Sequence, residues 1–516
     1  MRLPKTLLVL IGTVVSGTVF AQIDSLELPA RRSAEHTAEL IGLGASGDRT
    51  PFWLRANQYG IVPSGGSAGL LRIGTAGQLR SANRHPNRQL TYGVEAVAAV
   101  GQQVSVVLPQ AYVSLDRGRF SLWVGRKREV IGLGDSTLTS GFYSWSGNAL
   151  PVTKVQIGTN GFAPLRFTND IVSVHAFFAH GWFTNSDSIR GSYLHQKALY
   201  VRIGRPDWRI RLTGGVLHNA QWGGRSDFVP TFWAKDGKMP DSIKDYLYVL
   251  TACEGGTSNS PNLTEFDRVN RVGNHLGSID FGVDADLGRW QAMGYYQHPF
   301  EDKSGVAFIN FPDGLYGLRV RRPSGTDSGF RVDHVLLEHL NTMSQSGSQT
   351  HTGSRYDGKD DYFNNYQYLD GWAQNRSVIG TPFLSRRADI RPDLPYGPEK
   401  RIWAIANNQV ELYHLALAGT VGRQRVRQAV ASPRWNTPMQ YVRWQVKLSA
   451  SRNYGAPRLA FRQSVAQFSG VASATWPLNW LGGSELQTAV ALDNGQLYRN
   501  AVGGWLSLRK TWKSNV

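Results

Sequence analysis

From residue 37 to residue 512 the sequence keeps returning to one rhythm, an apolar side chain followed by a polar or small one. In 208–215, Trp208, Ile210 and Leu212 alternate with Arg209, Arg211 and Thr213; in 275–287, Ile279, Phe281, Val283 and Ala285 alternate with Ser278, Asp280, Gly282 and Asp284. The pattern recurs in 444–451 (Trp444, Val446, Leu448, Ala450), in 485–493 (Leu486, Val490, Leu492), in 91–100 (Tyr92, Val94, Ala96, Ala98) and in 199–204, where Val201 and Ile203 oppose Arg202. Successive side chains of a strand point to opposite faces, so a period of two marks a sheet with two unlike faces. Helical periodicity is weak throughout, and clusters of Gly, Asn, Asp and Pro separate the segments, so the chain is expected to be all-β. A sheet of so many strands must protect its edges, and closing into a barrel removes them.

Alternation alone fits a soluble sandwich as well as a barrel with its apolar face outward. The first residues favour the barrel. MRLPKTLLVLIGTVVSGTVFAQ carries Arg2 and Lys5, an apolar run from Leu7 to Val15, and small-residue positions at Val19 and Ala21, the pattern of a secretory leader cleaved after Ala21. The run is shorter than the roughly 20 apolar residues of a membrane helix. The 16 Trp and 20 Tyr suffice for interfacial girdles. The last segment, 502–512, sets Leu506, Leu508 and Trp512 against Ser507, Arg509 and Thr511, as a closing strand would. The expectation is a transmembrane antiparallel β-barrel of the bacterial outer membrane, a single domain over 22–516 behind a leader of 1–21, with Leu506, Leu508, Trp444, Val446 and Leu448 facing lipid. Two polar stretches, 223–272 and 345–398, exceed ordinary connections and are expected to be long outer loops.

Without Arg2 and Lys5 the formal charge falls from +18 to +16, which favours acidic partners. Export sets nucleic acid aside and leaves anionic polysaccharide or the phosphates of lipopolysaccharide. The single Cys253 excludes an intramolecular disulfide and a Cys-rich metal site. Candidate binding residues follow the segment beginning at Phe120, where Arg126, Lys127 and Arg128 lead into a glycine-rich stretch holding Tyr143, Trp145 and Asn148. Guanidinium groups, flat aromatic faces and amides suit the carboxylates, C–H faces and hydroxyls of acidic sugars, although a well-packed loop would hold the same residues. Their two-residue spacing puts Arg126 and Arg128 on one face, that of Phe120, Leu122 and Val124, and arginines in lipid are costly. Gly125 is therefore expected to break the register and turn both arginines to the interior or the aqueous rim beside Tyr143 and Trp145. There they would bind glycan, or brace the loop by pairing with Glu129 and Asp135. Tyr362, Asn364 and Asn365 of the second long loop complete the candidate set.

Several of these stretches resemble the Wzi family of capsule-assembly proteins, in the form found in Bacteroidetes-like bacteria. They are TPFWLRANQYG at 50–60, GRKREVIGLGDSTLTSGFYSWSGNALP at 125–151, HGWF at 180–183, LHQKALYVRIG at 194–204, EHLNTMSQSG at 338–347, DDYFNNYQYLDGW at 360–372 and IGTPF at 379–383. The resemblance implies an outer-membrane barrel of about 18 strands. It further implies a surface protein that binds capsular or exopolysaccharide and supports capsule assembly or attachment without catalysis or a cofactor. The expected partners are acidic capsular polysaccharide and outer-membrane lipid with its lipopolysaccharide, and the expected state is a monomer. Enterobacterial members carry an N-terminal helical bundle, for which the stretch before the first strand, near residue 37, leaves no room.

Other chemistries fit less well. GDSTLTSG at 134–141 looks like the nucleophile block of GDSL-type esterases, but a serine nucleophile needs a histidine base oriented by a carboxylate. None of the 12 histidines has an aspartate three residues before it, as that family's pair requires, so Ser136 is not expected to be catalytic. Asp357, Asp360 and Asp361 lack the spacing of a calcium loop and read as a solvated acidic stretch, while Asp280, Asp284 and Asp286 are expected to offset lumen arginines. The alternative function is a porin with a basic lumen. The aromatic and amide-rich loops favour the lectin, because sugar stacking needs flat faces and ion flow does not.

Overall fold

A computed structural model describes residues 33–80, 88–256, 259–322, 329–347, 360–394, 404–423, 440–478 and 481–515; the leader of 1–21 and Asp357 lie outside the described residues. The wall begins with β1 (Ser33–Ala45), β2 (Ala68–Arg80), β3 (Arg88–Val100), β4 (Val104–Arg117), β5 (Phe120–Arg126) and β6 (Thr153–Thr159). It continues with β7 (Val172–Trp182), β8 (Tyr193–Ile203), β9 (Ile210–Trp222), β10 (Asn274–Asp286), β11 (Gln291–Phe300), β12 (Gly314–Arg321) and β13 (Gly329–Asn341). It ends with β14 (Val410–Arg423), β15 (Gln440–Ala456), β16 (Leu459–Leu478), β17 (Ser484–Gly495) and β18 (Ala501–Asn515). Each pairs antiparallel with the next, and a two-residue segment, Ala163–Pro164, continues β6 along β7. β1 and β18 pair from Ser33 with Asn515 to Ala45 with Gly503, which closes an 18-stranded barrel. Among the described residues no helix is long and apolar enough to cross a membrane.

Ser33 and Asn515 lie at one end of the barrel. The four longest connections, 46–67, 127–152, 223–273 and 342–409, all leave from the other, the loop end, as does 301–313. The alternation read from the sequence is the alternation of the wall. On β5, Phe120, Leu122 and Val124 are 66, 40 and 50% exposed, whereas Trp123 between them is 2% exposed. Leu506 and Leu508 are exposed on β18, and on β15 Trp444, Val446 and Leu448 alternate with the buried Lys447 and Ser449. Trp444 stacks on the exposed Phe330 at 4.9 Å. Apolar residues thus face outward as a lipid-facing band.

The largest buried apolar cluster lies inside the barrel. Inward residues of the wall, among them Leu194, Leu217, Leu276, Leu336 and Leu412, pack against Leu138, Phe142, Tyr143 and Trp145 of the 127–152 loop and Tyr362, Phe363 and Trp372 of the 342–409 loop. A short helix, α1 (Phe52–Arg55), adds Phe52 and Trp53 to the same cluster. The 223–273 loop forms α2 (Ile243–Thr251) and α3 (Glu265–Val269), each opened by a capping box, Ser242 with Asp245 and Thr264 with Asp267.

The band makes a direct prediction. Leu506→Arg, near the middle of the outward face of β18, should destabilise the barrel by about 2–4 kcal/mol in equilibrium folding into lipid vesicles. An unchanged folding free energy would mean that Leu506 does not meet hydrocarbon.

Candidate functional site

The 127–152 loop descends into the barrel, where inward side chains of the wall hold its backbone. Asp280 accepts from the Leu133 N–H at 3.0 Å; Gln297 accepts from the Tyr143 N–H at 2.9 Å and donates to the Leu133 carbonyl at 2.8 Å. Glu338 accepts from the Ser140 N–H at 2.6 Å and the Thr139 hydroxyl at 2.8 Å. His414 reaches the Leu138 carbonyl at 2.9 Å, and Lys447 donates to the Thr137 carbonyl at 3.2 Å. Asp135 faces His334 at 2.5 Å. Burial alone would raise its pKa, but His334, the Thr137 hydroxyl and the Leu138 N–H hold it well below the usual carboxylate range. The Ser136 hydroxyl has no hydrogen-bond partner, so no base activates it in this arrangement.

The arginines separate. The ladder between β4 and β5 runs unbroken through Gly125 to Arg126, so the expected break in register is absent; Gly125 instead adopts a φ of 123°, where a Cβ would lie 2.0 Å from the Ala111 carbonyl oxygen. Arg126 stays at the rim, donating to the Thr153 hydroxyl at 2.8 Å. Arg128 turns inward, pairs with Glu95 and lies 4.9 Å from the Tyr59 ring. Burial, then the charge of Arg72, lowers its pKa to about 10. Neither brace partner expected from proximity is used: Glu129 pairs with Lys154 at 2.8 Å and Asp135 with His334.

The other six candidates meet in and beside one packed wall between the two loops. Tyr143, fully buried, lies edge-on to Tyr362 at 5.6 Å and against Phe363 at 5.2 Å. Trp145 meets Trp372 edge-on at 6.1 Å, with the Lys154 ammonium 5.1 Å from its ring. Asn148 donates to the Val378 carbonyl at 2.9 Å, and Asn364 donates to the Ile405 carbonyl at 2.9 Å. Asn365 donates to Asn274 at 3.2 Å and, through its oxygen, accepts from Gln367 N–H at 2.9 Å. The Tyr362 hydroxyl donates to Asp313 at 2.9 Å. Of the strand aspartates, Asp284 does face a lumen arginine, Arg319, at 3.5 Å, whereas Asp280 holds the Leu133 N–H and the Tyr200 hydroxyl.

On the terminus side of this packing lies a cavity of about 310 Å³ between α1, the 130–139 segment and the inner faces of β1, β2 and β15 to β18. Trp53, Trp505, Arg72, Arg509, Lys447, Gln445 and Gln487 line it, with Ser136 and Thr137. The Lys447 ammonium is 4.9 Å from the Trp53 ring, and the Trp53 indole donates to Ser449 at 3.2 Å. Arg72 is held by Glu95 at 3.0 Å and Glu39 at 3.2 Å. The Trp505 Nε1, Arg509 Nε and Ser136 Oγ have no hydrogen-bond partner. Indoles, cations and amides converge here, the chemistry assigned from sequence to the loops. These residues were visible as the polar partners of the alternation, as in Gln445 and Lys447 beside Val446, and Trp53 lies in TPFWLRANQYG. Nothing local distinguished them from other lumen residues.

No family model matches the chain, and no curated protein matches it in sequence. Among solved structures it is similar to Escherichia coli Wzi, described as an outer-membrane protein involved in group 1 capsule assembly and a carbohydrate-binding β-barrel. The two share 13% identity and a TM-score of 0.54 over 92% of this chain and 83% of that one. Weaker similarities, at TM-scores of 0.44 and 0.42, are to Pseudomonas aeruginosa OccK5 (8% identity) and Acinetobacter baumannii OccAB4 (9% identity), each over 94% of this chain and 98% of the other. The closed barrel with its apolar outer band, and its likeness of fold to one outer-membrane barrel, place the chain in the bacterial outer membrane. The terminus end then faces the periplasm.

The acids of the outer loops generate a pH prediction. Burial, then the charge of Asp302, pushes Asp360 up to about 7, and burial pushes Asp313 up to about 6. The folded state therefore holds these protons more tightly than an unfolded chain with an aspartate value of 3.8, so their contribution to stability is complete below that value and is lost as pH rises through about 6 to 7. Hydrogen exchange of 360–372, corrected for intrinsic rates, should be slower at pH 5 than at pH 8, and Asp360→Asn should remove most of that difference. Equal protection at both pH values would dissociate these carboxyls from loop anchoring.

Proposed function

We propose that the protein is a non-catalytic outer-membrane barrel that binds acidic capsular or exopolysaccharide and supports capsule assembly or attachment. The observation that carries this reading is the lumen cavity, where two indoles, cationic side chains and side-chain amides converge with polar groups left unpartnered. Unpartnered donors beside aromatic faces suit a ligand with carboxylates, hydroxyls and apolar ring faces. The likeness of fold to a barrel described as carbohydrate-binding supports it further. In this reading the packed loop residues Tyr143, Trp145, Asn148, Tyr362, Asn364 and Asn365 fill the lumen above the cavity, Arg128 braces Glu95, and Arg126 remains at the rim as a contact for glycan.

The porin reading is weakened by the packing inside the barrel, since an 18-stranded wall without inserted loops would enclose a wide aqueous channel. Planar-bilayer recordings should therefore show no steady open-pore conductance. A steady conductance without polysaccharide binding would make the protein a channel.

The cavity makes a sharper prediction. Arg509→Gln and Trp505→Ala should each weaken binding of an acidic capsular polysaccharide about tenfold, roughly the 1.4 kcal/mol of one charge-assisted contact, with normal folding in detergent. Raising the salt concentration should weaken binding of the unaltered protein, because exposed charges are screened. Affinity indifferent to salt and to both substitutions would place the glycan elsewhere.

A further inference from the structure

The outer face of the wall differs from one side of the barrel to the other. On β18 the outward residues Val502, Leu506 and Leu508 are exposed, and Trp512 follows the exposed Lys510 toward the terminus end. On β10 and just beyond it Phe281, Val283 and Leu287 are exposed and Ile279 is half-buried. Above Ile279 the residues of the same face, His275 and Gly277, are buried. β9 changes in the same way: Ile210, Leu212 and Val216 are exposed, and His218, Ala220 and Trp222 of the same face are buried.

Two loops of the loop end cover Ala220 and Trp222 of β9 and His298 of β11 from outside. α2 lies against β7 to β9, where Tyr246 stacks on Trp222 at 5.0 Å and meets His180 and His195 edge-on at 5.6 and 5.7 Å. Val249 packs with Ala220 and Trp222, and the outward Lys197 donates to the Leu250 carbonyl. On β11, Phe308 of the 301–313 loop stacks on His298 at 4.0 Å and reaches Phe281 of the lipid-facing band at 6.5 Å. Lys303 pairs with Glu254 and ties the two loops together. Five outward histidines lie on consecutive strands: His180 and His195 meet α2, His298 meets Phe308, and His218 and His275 stack on each other between them.

The collar's own outer side is apolar. Ile243 and Leu247 of α2 are 79 and 57% exposed, and Val306, Ile309 and Phe311 are 51, 47 and 61% exposed. Lys244, also exposed, stands beside Ile243. We propose that α2 and residues 303–311 are a membrane-seated collar, lying in the headgroup and acyl boundary of the outer leaflet and supplying the part of the lipid-facing surface that β9 and β10 lack. The outward faces of β9 and β10 are covered above Val216 and Ile279, and with the collar in water the bilayer would have to adapt to that side. A short helix with an apolar face and a lysine beside it suits that boundary, and the collar's lower edge is continuous with the band at Phe281. Outer-leaflet lipid is therefore the occupant, and the Trp, Tyr and His residues beneath are an interfacial girdle with one more layer laid over it.

Cys253 is the chain's single cysteine, so Cys253→Ser permits labelling at one chosen site. Bimane would be attached at Leu247→Cys, at Ile309→Cys, and at Asp393→Cys, an exposed position of the 342–409 loop. The labelled proteins would be reconstituted in phosphatidylcholine vesicles containing 5-doxyl or 12-doxyl lipid. Labels at 247 and 309 should be quenched severalfold more strongly by doxyl lipid than the label at 393, more by the 5-doxyl than the 12-doxyl form, and protected from iodide. Iodide quenching equal to that at 393, with no lipid quenching, would put the collar in water and overturn the proposal. Energy transfer between labels at 247 without lipid quenching would give the surface to a second copy and overturn it equally. Both collar positions are exposed, so neither substitution disturbs packing, and agreement between them guards against a local artefact.

Discussion

In hydrocarbon every backbone N–H and C=O must find its partner within the protein, and the structure depends on the way this chain meets that demand. The ladder between β1 and β18 joins the two ends of the described chain over thirteen residue pairs, from Ser33 with Asn515 to Ala45 with Gly503. With that pairing no strand edge is left in lipid, and each strand presents one face outward and one inward. The apolar partners of the alternation are taken up by lipid. The polar partners are left facing a space that an 18-stranded wall makes too wide for side chains to fill alone.

The loops fill that space, and the physics of filling it explains the composition of the inner wall. An irregular segment inside a barrel carries unpaired backbone groups, so the wall must supply partners at fixed places. Asp280, Gln297, Glu338, His414 and Lys447 come from five different strands, and all five meet the backbone of residues 133–143. Their polarity therefore serves packing. The apolar side chains of the same loop meet those of the 342–409 loop and the upper wall in one cluster, so the barrel has a protein-like core inside it.

Much of this was legible in the sequence, and the failures share a cause. Period two located the strands and their outward faces because it depends only on neighbours in sequence, as Phe120, Leu122 and Val124 show. The partner of Arg128 was not legible, because Glu95 lies 33 residues away and is brought near by strand pairing. The same holds for the use of Tyr143 and Tyr362: aromatics, amides and cations build a packed wall as readily as a sugar platform, and composition cannot distinguish them. Nor does an outward-facing position reveal whether lipid or a loop lies over it, so the burial of Trp222 beneath α2 left no mark on the alternation.

What distinguishes a brace from a binding group is whether its hydrogen-bonding capacity is spent inside the protein. Arg72 spends its guanidinium on Glu39 and Glu95, and Arg128 pairs with the same Glu95 through one nitrogen, so these charges orient the wall near α1. Arg509 stands in the same cavity, yet among the described residues it makes no hydrogen bond or ion pair, and the indole N–H of Trp505 is likewise unpartnered. A partly buried donor without a partner carries a desolvation cost that a ligand's carboxylate or hydroxyl removes on binding. The cavity therefore sets Arg509 and Trp505, with donor capacity unspent, beside a frame in which Arg72 is satisfied.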